Sequence, residues 1–451
     1  MSDLLKERFE ELKTRARKDG VSVELLAVGG ESLSLCYQSG KMDEFESSQT
    51  RSAGIRVIDG GAQGYASTEN FSPEAFRRTY AAALENARML TDKKAEAQIP
   101  LAKSAKITDA MEDLYRPQEV PMDQKMAVAR DLEALTIAAD SRVHKVPYSG
   151  FTESEGWVRV MNSAGLDLTH RRTSFSGHAY ALAKEGDVSK ISGESFYERD
   201  FEKINVAELS AEAARRATAR LGARPAKTEK MTVLWDRRVA RAILQMLEES
   251  LSGESLVENT SLLKGRLNQA IASPLFNLVD DPFDRRGVGV RPFDSEGCVS
   301  QKTILIEKGE LKAFLTNLEV AQRLEMPHTA NASRSPGSSM SVGSSNLVVG
   351  LGASSREELL KTAPRMLLLT DLTGGLHAGY RAASGDFSLP AEGFLVENGE
   401  ITGALDQFVL SGNVLELLKN VAALGDVYDQ KASSLLIPDV LVSDLSVAGG
   451  A

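Results

Sequence analysis

The 451-residue sequence predicts an α+β protein. It reads as a small N-terminal α/β sandwich-like domain (1–91), a linker and middle α+β domain (92–225), and a large C-terminal mainly β domain (226–451) rich in antiparallel β-sheet. Three observations predict this. Helical periodicity brackets short β-rich stretches twice before residue 225. Beyond it, strands and loops dominate. Two hairpin sequences there echo each other, ILIEKGEL at 304–311 and FLVENGEI at 394–401.

Composition narrows the functional classes. A hydrophobic fraction of 42% and a charged fraction of 26% are those of an ordinary globular protein with a sizeable core. A net charge of −10 without a basic run gives no support to a nucleic-acid partner. Two cysteines, Cys36 and Cys298, cannot build a disulfide framework or a four-ligand zinc knuckle. The opening MSDLLKERFEELKTRARKDG is amphipathic and charged, unlike a signal peptide. No run of 18 apolar residues exists to span a bilayer. A cytoplasmic protein with no membrane and no nucleic-acid partner is expected.

Taken in order, Leu4, Leu5, Phe9 and Leu12 recur at helical spacing, which predicts a helix over 3–18 stopped by Gly20. Strands are expected over 21–28 and 31–38, divided at Gly29-Gly30. Two more, over 54–58 and 63–67, flank the hairpin signal Asp59-Gly60-Gly61. Ser72-Pro73 opens a helix to about residue 90, with Ser as cap and Pro in the first turn. The polar stretch 92–122 reads as a linker. The middle unit then needs a helix over 122–140, strands over 143–152, 156–162, 166–177 and 178–185, and a helix over 206–221. Gly222-Ala223-Arg224-Pro225 marks its end. MTVLW at 231–235 is a strand that leads into a long helix to about residue 251. Each echoed hairpin turns at Lys-Gly or Asn-Gly, and both fit one sheet. The Ser/Gly-rich stretch 327–346 is too long for a passive connection, so it reads as a mobile functional loop or as disorder.

The chemistry-bearing residues are sparse. There is no His-Glu-x-x-His and no Cys-x-x-Cys. No two of the five histidines lie closer than eight residues. His170 and His178 would share a face of one strand, but nothing clusters with them to complete a metal site. Gly-x-Ser-x-Gly is absent, so a serine hydrolase has no anchor. Asp294 and Glu296 sit two apart after a Gly-rich loop. They either converge on a cation or an amide, or belong to a polar loop entering a strand. Glycines flank His377 in DLTGGLHAG, where exposed amides could line a cleft.

These stretches, with their order and spacing, resemble the TldD/PmbA family, and within it the PmbA (TldE) branch. The residues that carry the resemblance are the hairpin at 54–65, the turn after Asn162, RPFDSEG at 291–297 with its following hairpin, and TANASR at 329–334. It continues through Gly374 to Gly379, SGDFS at 384–388 and GFLVENGEI at 393–401. The resemblance implies one subunit of a cytoplasmic TldD–TldE-type metallopeptidase that cleaves unfolded or extended peptides, with roles in peptide maturation and antitoxin degradation. TldD-like chains carry His-Glu-x-x-x-His on a helix and a later Cys, which hold zinc. Here Gln245 and Ser250 stand at the histidine positions and Met246 at the Glu position, and no Cys follows Cys298. The resemblance therefore implies no catalytic residue, metal ligand or cofactor in this chain, with zinc in a TldD-like partner. The partner is that catalytic subunit in a heterodimer, or a second copy in a homodimer; the alternative is a self-standing homodimeric peptide-binding protein. Substrate-contacting candidates are Asp294, Glu296, Asn331, Arg334, His377, Gly379 and Asp386. The hairpins after Glu296 and Gly393 are candidate edges for an added peptide strand, and the loop 331–346 a candidate cover.

Overall fold

The structure, a computed structural model, describes residues 2–94, 96–107, 109, 111–429 and 432–449. The first half is built on one six-stranded antiparallel sheet. Helix α1 (Ser2–Asp19) leads into β1 (Ser22–Gln38), β2 (Lys41–Asp59) and β3 (Ala62–Thr68), followed by α2 (Pro73–Met89). After the connecting stretch come α3 (Met122–Ala138), β4 (Val143–Asn162), β5 (Asp167–Glu185), β6 (Val188–Glu198) and α4 (Val206–Thr218). The strand order is β3-β2-β1-β4-β5-β6, so segments 1–91 and 92–225 share a sheet through the β1–β4 ladder.

Several strands expected as pairs are single long ones. Gly29-Gly30 does not turn. It stays in register opposite Trp157 and Gly156. A Cβ on Gly29 would lie 2.6 Å from the Trp157 ring, and one on Gly30 would lie 2.3 Å from the Glu155 carbonyl oxygen. These glycines serve close approach, not chain reversal. The reversal comes at Ser39-Gly40, both at positive φ. The buried Glu133 carboxylate on α3 accepts both of their backbone N–H groups at 2.6 and 3.0 Å.

Odd-numbered β1 residues face the helices. Val23, Leu25 and Ala27 pack with Leu5, Phe9, Leu12 and Phe76 of α1 and α2. Leu35 packs with Phe151, Phe175 and Leu132 in the α3–α4 half. On the opposite face, Glu24 and Leu26 are also buried, against the C-terminal half. Each fully buried Leu stabilises the fold by about 1.5–3 kcal/mol. Burial of both faces therefore fixes register at this end, because a one-residue slip would exchange the two faces. Ser72 caps α2 as expected, with Pro73 in the first turn.

In the second half, five strands close into a ring: β7 (Glu229–Trp235), β8 (Arg365–Leu372), β9 (Asp386–Glu397), β10 (Glu400–Asn413) and β11 (Val440–Gly449). β7 and β8 run parallel; the other neighbours in the ring are antiparallel. Helix α5 (Arg241–Leu251) buries Ile243, Met246, Leu247 and Leu251 in the largest apolar cluster, together with ring residues such as Phe387 and Phe408. Both echoed hairpins form with Lys308 and Asn398 at positive φ, but in different sheets. The first belongs to a five-stranded sheet, the second to the ring.

Candidate functional site

The sequence-derived candidates fall into two places. Asp294, Glu296, Asn331 and Arg334 lie together in the joint between the halves, all out of solvent. Glu296 accepts from Arg56 NH1 at 2.9 Å and from the Leu318 backbone N–H at 3.0 Å. Arg334 donates to Glu24 at 3.0 Å, and Arg56 lies 3.6 Å from the same carboxylate. Two acids and two arginines thus neutralise one another across the joint. Asp294 accepts from the backbone N–H groups of Glu296, Cys298 and Ala332. Burial, reinforced by the Glu296 charge, pushes its carboxyl up to about 7.

The Asp294, Glu296 and Cys298 ligand atoms lie within 4.8 Å of one another, the one such grouping found among the described residues. It does not fit zinc. Glu296 is held by Arg56, Asp294 is filled by three backbone donors, and burial pushes the Cys298 thiol up, away from the thiolate a metal needs. Its sulfur packs in an apolar cluster with Leu26, Val160 and Phe293.

The stretch 327–346 is a pinned bracket rather than a mobile cover. Asn331 donates to Asp280 at 2.8 Å, and Asp280 accepts from the Ser345 N–H at 2.7 Å. Ala332–Ser333 pairs with Ser341–Val342. Pro336 lies so close to β2 that a Cβ on Gly54 would sit 2.2 Å from its carbonyl oxygen. The two proposed peptide-accepting edges are also occupied. Both strands of the second hairpin have neighbours on each side. The first hairpin's return strand is covered by Asn268 to Ala270. Backbone pairing that is already satisfied cannot be offered to a peptide.

His377, Gly379 and Asp386 lie elsewhere, beside α5. His377 is exposed in the short turn Gly375–Ala378, and Asp386 accepts from Asn413 at 2.9 Å. At Gly379 a Cβ would meet the Ser388 carbonyl oxygen at 2.0 Å, so this glycine is a packing requirement. The adjoining Tyr380 hydroxyl donates to the Met246 carbonyl at 2.7 Å, which ties the turn to α5.

That turn rims a cleft of about 890 Å³. One wall is the β6 stretch Ile191–Gly193 with Glu212, Arg215 and Arg220 at the end of the first half. The other is Arg241 and Gln245 of α5, the end of β8, and Gly375-Leu376. Ion pairs brace the walls: Arg220 to Asp371 at 2.7 Å, Arg238 to Glu194 at 2.9 Å, and Lys190 to Glu392 at 2.8 Å. The sheet ends at β6, which has a ladder partner on one side only among the described residues. Sequence reading missed this strand, whose signal was the Gly186-Asp187 turn.

On α5 the three positions aligned with the zinc motif point apart. Gln245 is exposed to the cleft, Met246 is 1% exposed in the core, and Ser250 is 4% exposed. Positions five apart lie about 140° apart around a regular helix. A carboxamide on one face and a hydroxyl on another do not form a zinc-binding set, and the thioether between them cannot accept a proton.

A second cavity, of about 450 Å³, opens on the even-numbered face of β1 around Gly30 and Gly156. His170 lines it with Nε2 buried and unpartnered. Burial, with Arg172 nearby, lowers its pKa to about 4. His178 shares the strand and the face but lies roughly 26 Å along it, so the two cannot act together.

A long helix-backed sheet docked on a closed strand ring, with a braced cleft between, is the architecture of the PmbA/TldD family, to which this chain belongs. The family's domain models match in order: PmbA/TldA metallopeptidase domain 1 over residues 23–87, the central domain over 115–221 and the C-terminal domain over 228–449. Among named relatives, the chain is 27% identical to Metalloprotease PmbA of Escherichia coli O157:H7, covering 96% of this chain and 93% of that one. It is 26% identical to the Metalloprotease PmbA homolog of Haemophilus influenzae, over 99% and 98%. A crystal structure from Thermotoga maritima, described as a putative modulator of a DNA gyrase, superposes with a TM-score of 0.89 at 28% identity, covering 98% and 100%. TldE from Thermococcus kodakarensis shares the fold, with a TM-score of 0.81 at 21% identity over 98% and 100%.

Proposed function

We propose that this chain is the zinc-free subunit of a two-component, cytoplasmic metallopeptidase acting on extended peptides, and that its cleft helps to hold the substrate. The observation that carries the reading is α5. The helix keeps its place beside the cleft, yet Gln245, Met246 and Ser250 offer neither a ligand set nor a base. Family membership supports the peptidase context. The free side of β6 supports an extended ligand, since main-chain pairing at a sheet edge tolerates many sequences. Catalysis then belongs to a TldD-like partner, to which this chain contributes binding surface and shape. The test is zinc content and cleavage of an unstructured peptide, for this chain alone and mixed with a TldD-like subunit. Cleavage only in the mixture, with zinc only in the partner, is expected. Stoichiometric zinc and cleavage by this chain alone would overturn the reading.

A further inference from the structure

The cleft's charge is opposite in sign to that of the molecule. Seven arginines line it against four carboxylates, Glu212, Asp236, Asp371 and Asp429, whereas the chain carries a net charge of −10. The arginines divide into two groups by what they already touch. Arg216, Arg220, Arg238 and Arg356 are held by carboxylates of the surrounding walls. Arg241 is not. Its Nε donates to the Arg238 carbonyl at 2.9 Å, and no carboxylate lies within ion-pair distance among the described residues. Arg215 engages Glu212 through Nε and NH2, which leaves NH1. One turn on from Arg241, Gln245 offers a carboxamide donor and acceptor at the same wall. Tyr180, Ile191 and Ile401 expose apolar surface between these polar groups, at 41%, 43% and 54%.

We infer that this cleft selects acidic peptide segments, with Arg241 and Arg215 pairing ligand carboxylates, Gln245 meeting a backbone amide, and Tyr180, Ile191 and Ile401 taking apolar side chains. The inference rests on the reading of the cleft as a peptide site and names its ligand class. An arginine on a recessed, low-dielectric wall attracts carboxylates more strongly than one in open solvent. Four carboxylates in the same lining oppose a continuous phosphodiester chain, so the occupant is a peptide rather than a nucleic acid.

The test uses the full chain without any partner subunit. Three rhodamine-labelled 12-residue peptides of alternating Glu-Leu, Gln-Leu and Lys-Leu are titrated by fluorescence anisotropy at low salt. The Glu peptide is expected to bind at least tenfold tighter than the Gln peptide, and the Lys peptide weakest. The preference should collapse at 0.5 M NaCl, as screening requires (~4–5 Å Debye length). Arg241→Gln should weaken the Glu peptide about five- to tenfold and leave the Gln peptide within twofold. Its melting temperature should be unchanged, since no ion pair is broken. Equal binding of the three peptides, an unaltered Glu-peptide affinity in Arg241→Gln, or displacement of the Glu peptide by a short single-stranded oligodeoxynucleotide at equal concentration would each overturn the inference. Cleavage by a mixture with a TldD-like subunit is a separate readout. Charge-blind binding with intact stimulation of cleavage defeats only the inference; acidic preference without stimulation defeats only the partnership.

Discussion

Arg56 and Glu296 are 240 residues apart in sequence and meet at 2.9 Å with both side chains fully out of solvent. Glu24 and Arg334 complete the group on the same side. These four residues, rather than a ligand, account for the acidic loop that the sequence offers as a candidate site.

Removal of either partner should be costly, because it strands the other charge in a buried environment. Arg56→Met or Glu296→Gln is expected to destabilise the chain by about 3–5 kcal/mol. Urea denaturation reads this directly. A loss below about 1 kcal/mol would mean that water reaches the joint.

The bracket at 327–346 makes a steric prediction. Gly54→Ala places its Cβ 2.2 Å from the Pro336 carbonyl oxygen, so loop or strand must shift. A loss of about 1–3 kcal/mol is expected. Gly156→Ala, whose nearest atoms lie at 4.0 Å, should cost at most about 1 kcal/mol. Comparable melting temperatures for the two variants would contradict this packing.

Restoring only the glutamate of the zinc motif should not restore function. Met246→Glu buries a carboxylate in the main core, where the methionine is 1% exposed. A loss of about 3 kcal/mol or more is expected, visible in thermal melts. A variant as stable as the parent would show that position 246 reaches solvent.

His170 predicts an acid-side instability. Its folded pKa, lowered to about 4, lies below the ordinary value near 6.5. Between those values the unfolded chain binds a proton that the folded chain does not. The stability contributed by the neutral ring is therefore full above about pH 6.5 and declines as pH falls toward 4. His170→Gln should remove on the order of 1–2 kcal/mol of this decline. Urea midpoints at pH 7 and pH 4.5 give the comparison. An identical pH slope in parent and variant would place the ring in open water.

Much of the fold is legible locally. The Ser72-Pro73 helix start, the Lys308-Gly309 and Asn398-Gly399 turns and the apolar stripe of α5 each follow from a few neighbouring residues. Gly29-Gly30 misleads because glycine has two uses, chain reversal and close approach, and only the partner strand decides between them. β6 escapes for a related reason: its partly polar alternation becomes a strand through pairing with β5.

The candidate site divides in the same way. Gln245, Met246 and Ser250 are read from sequence alone, and their chemistry rules out the zinc motif wherever they point. The grouping of Asp294 and Glu296 with Arg56 and Arg334, and of Arg241 with Arg215, could be decided only by tertiary structure. Side-chain type sets what a residue can bond, and that is written in one position. Which charge is cancelled and which is left facing a cleft depends on residues hundreds of positions away, brought together by packing.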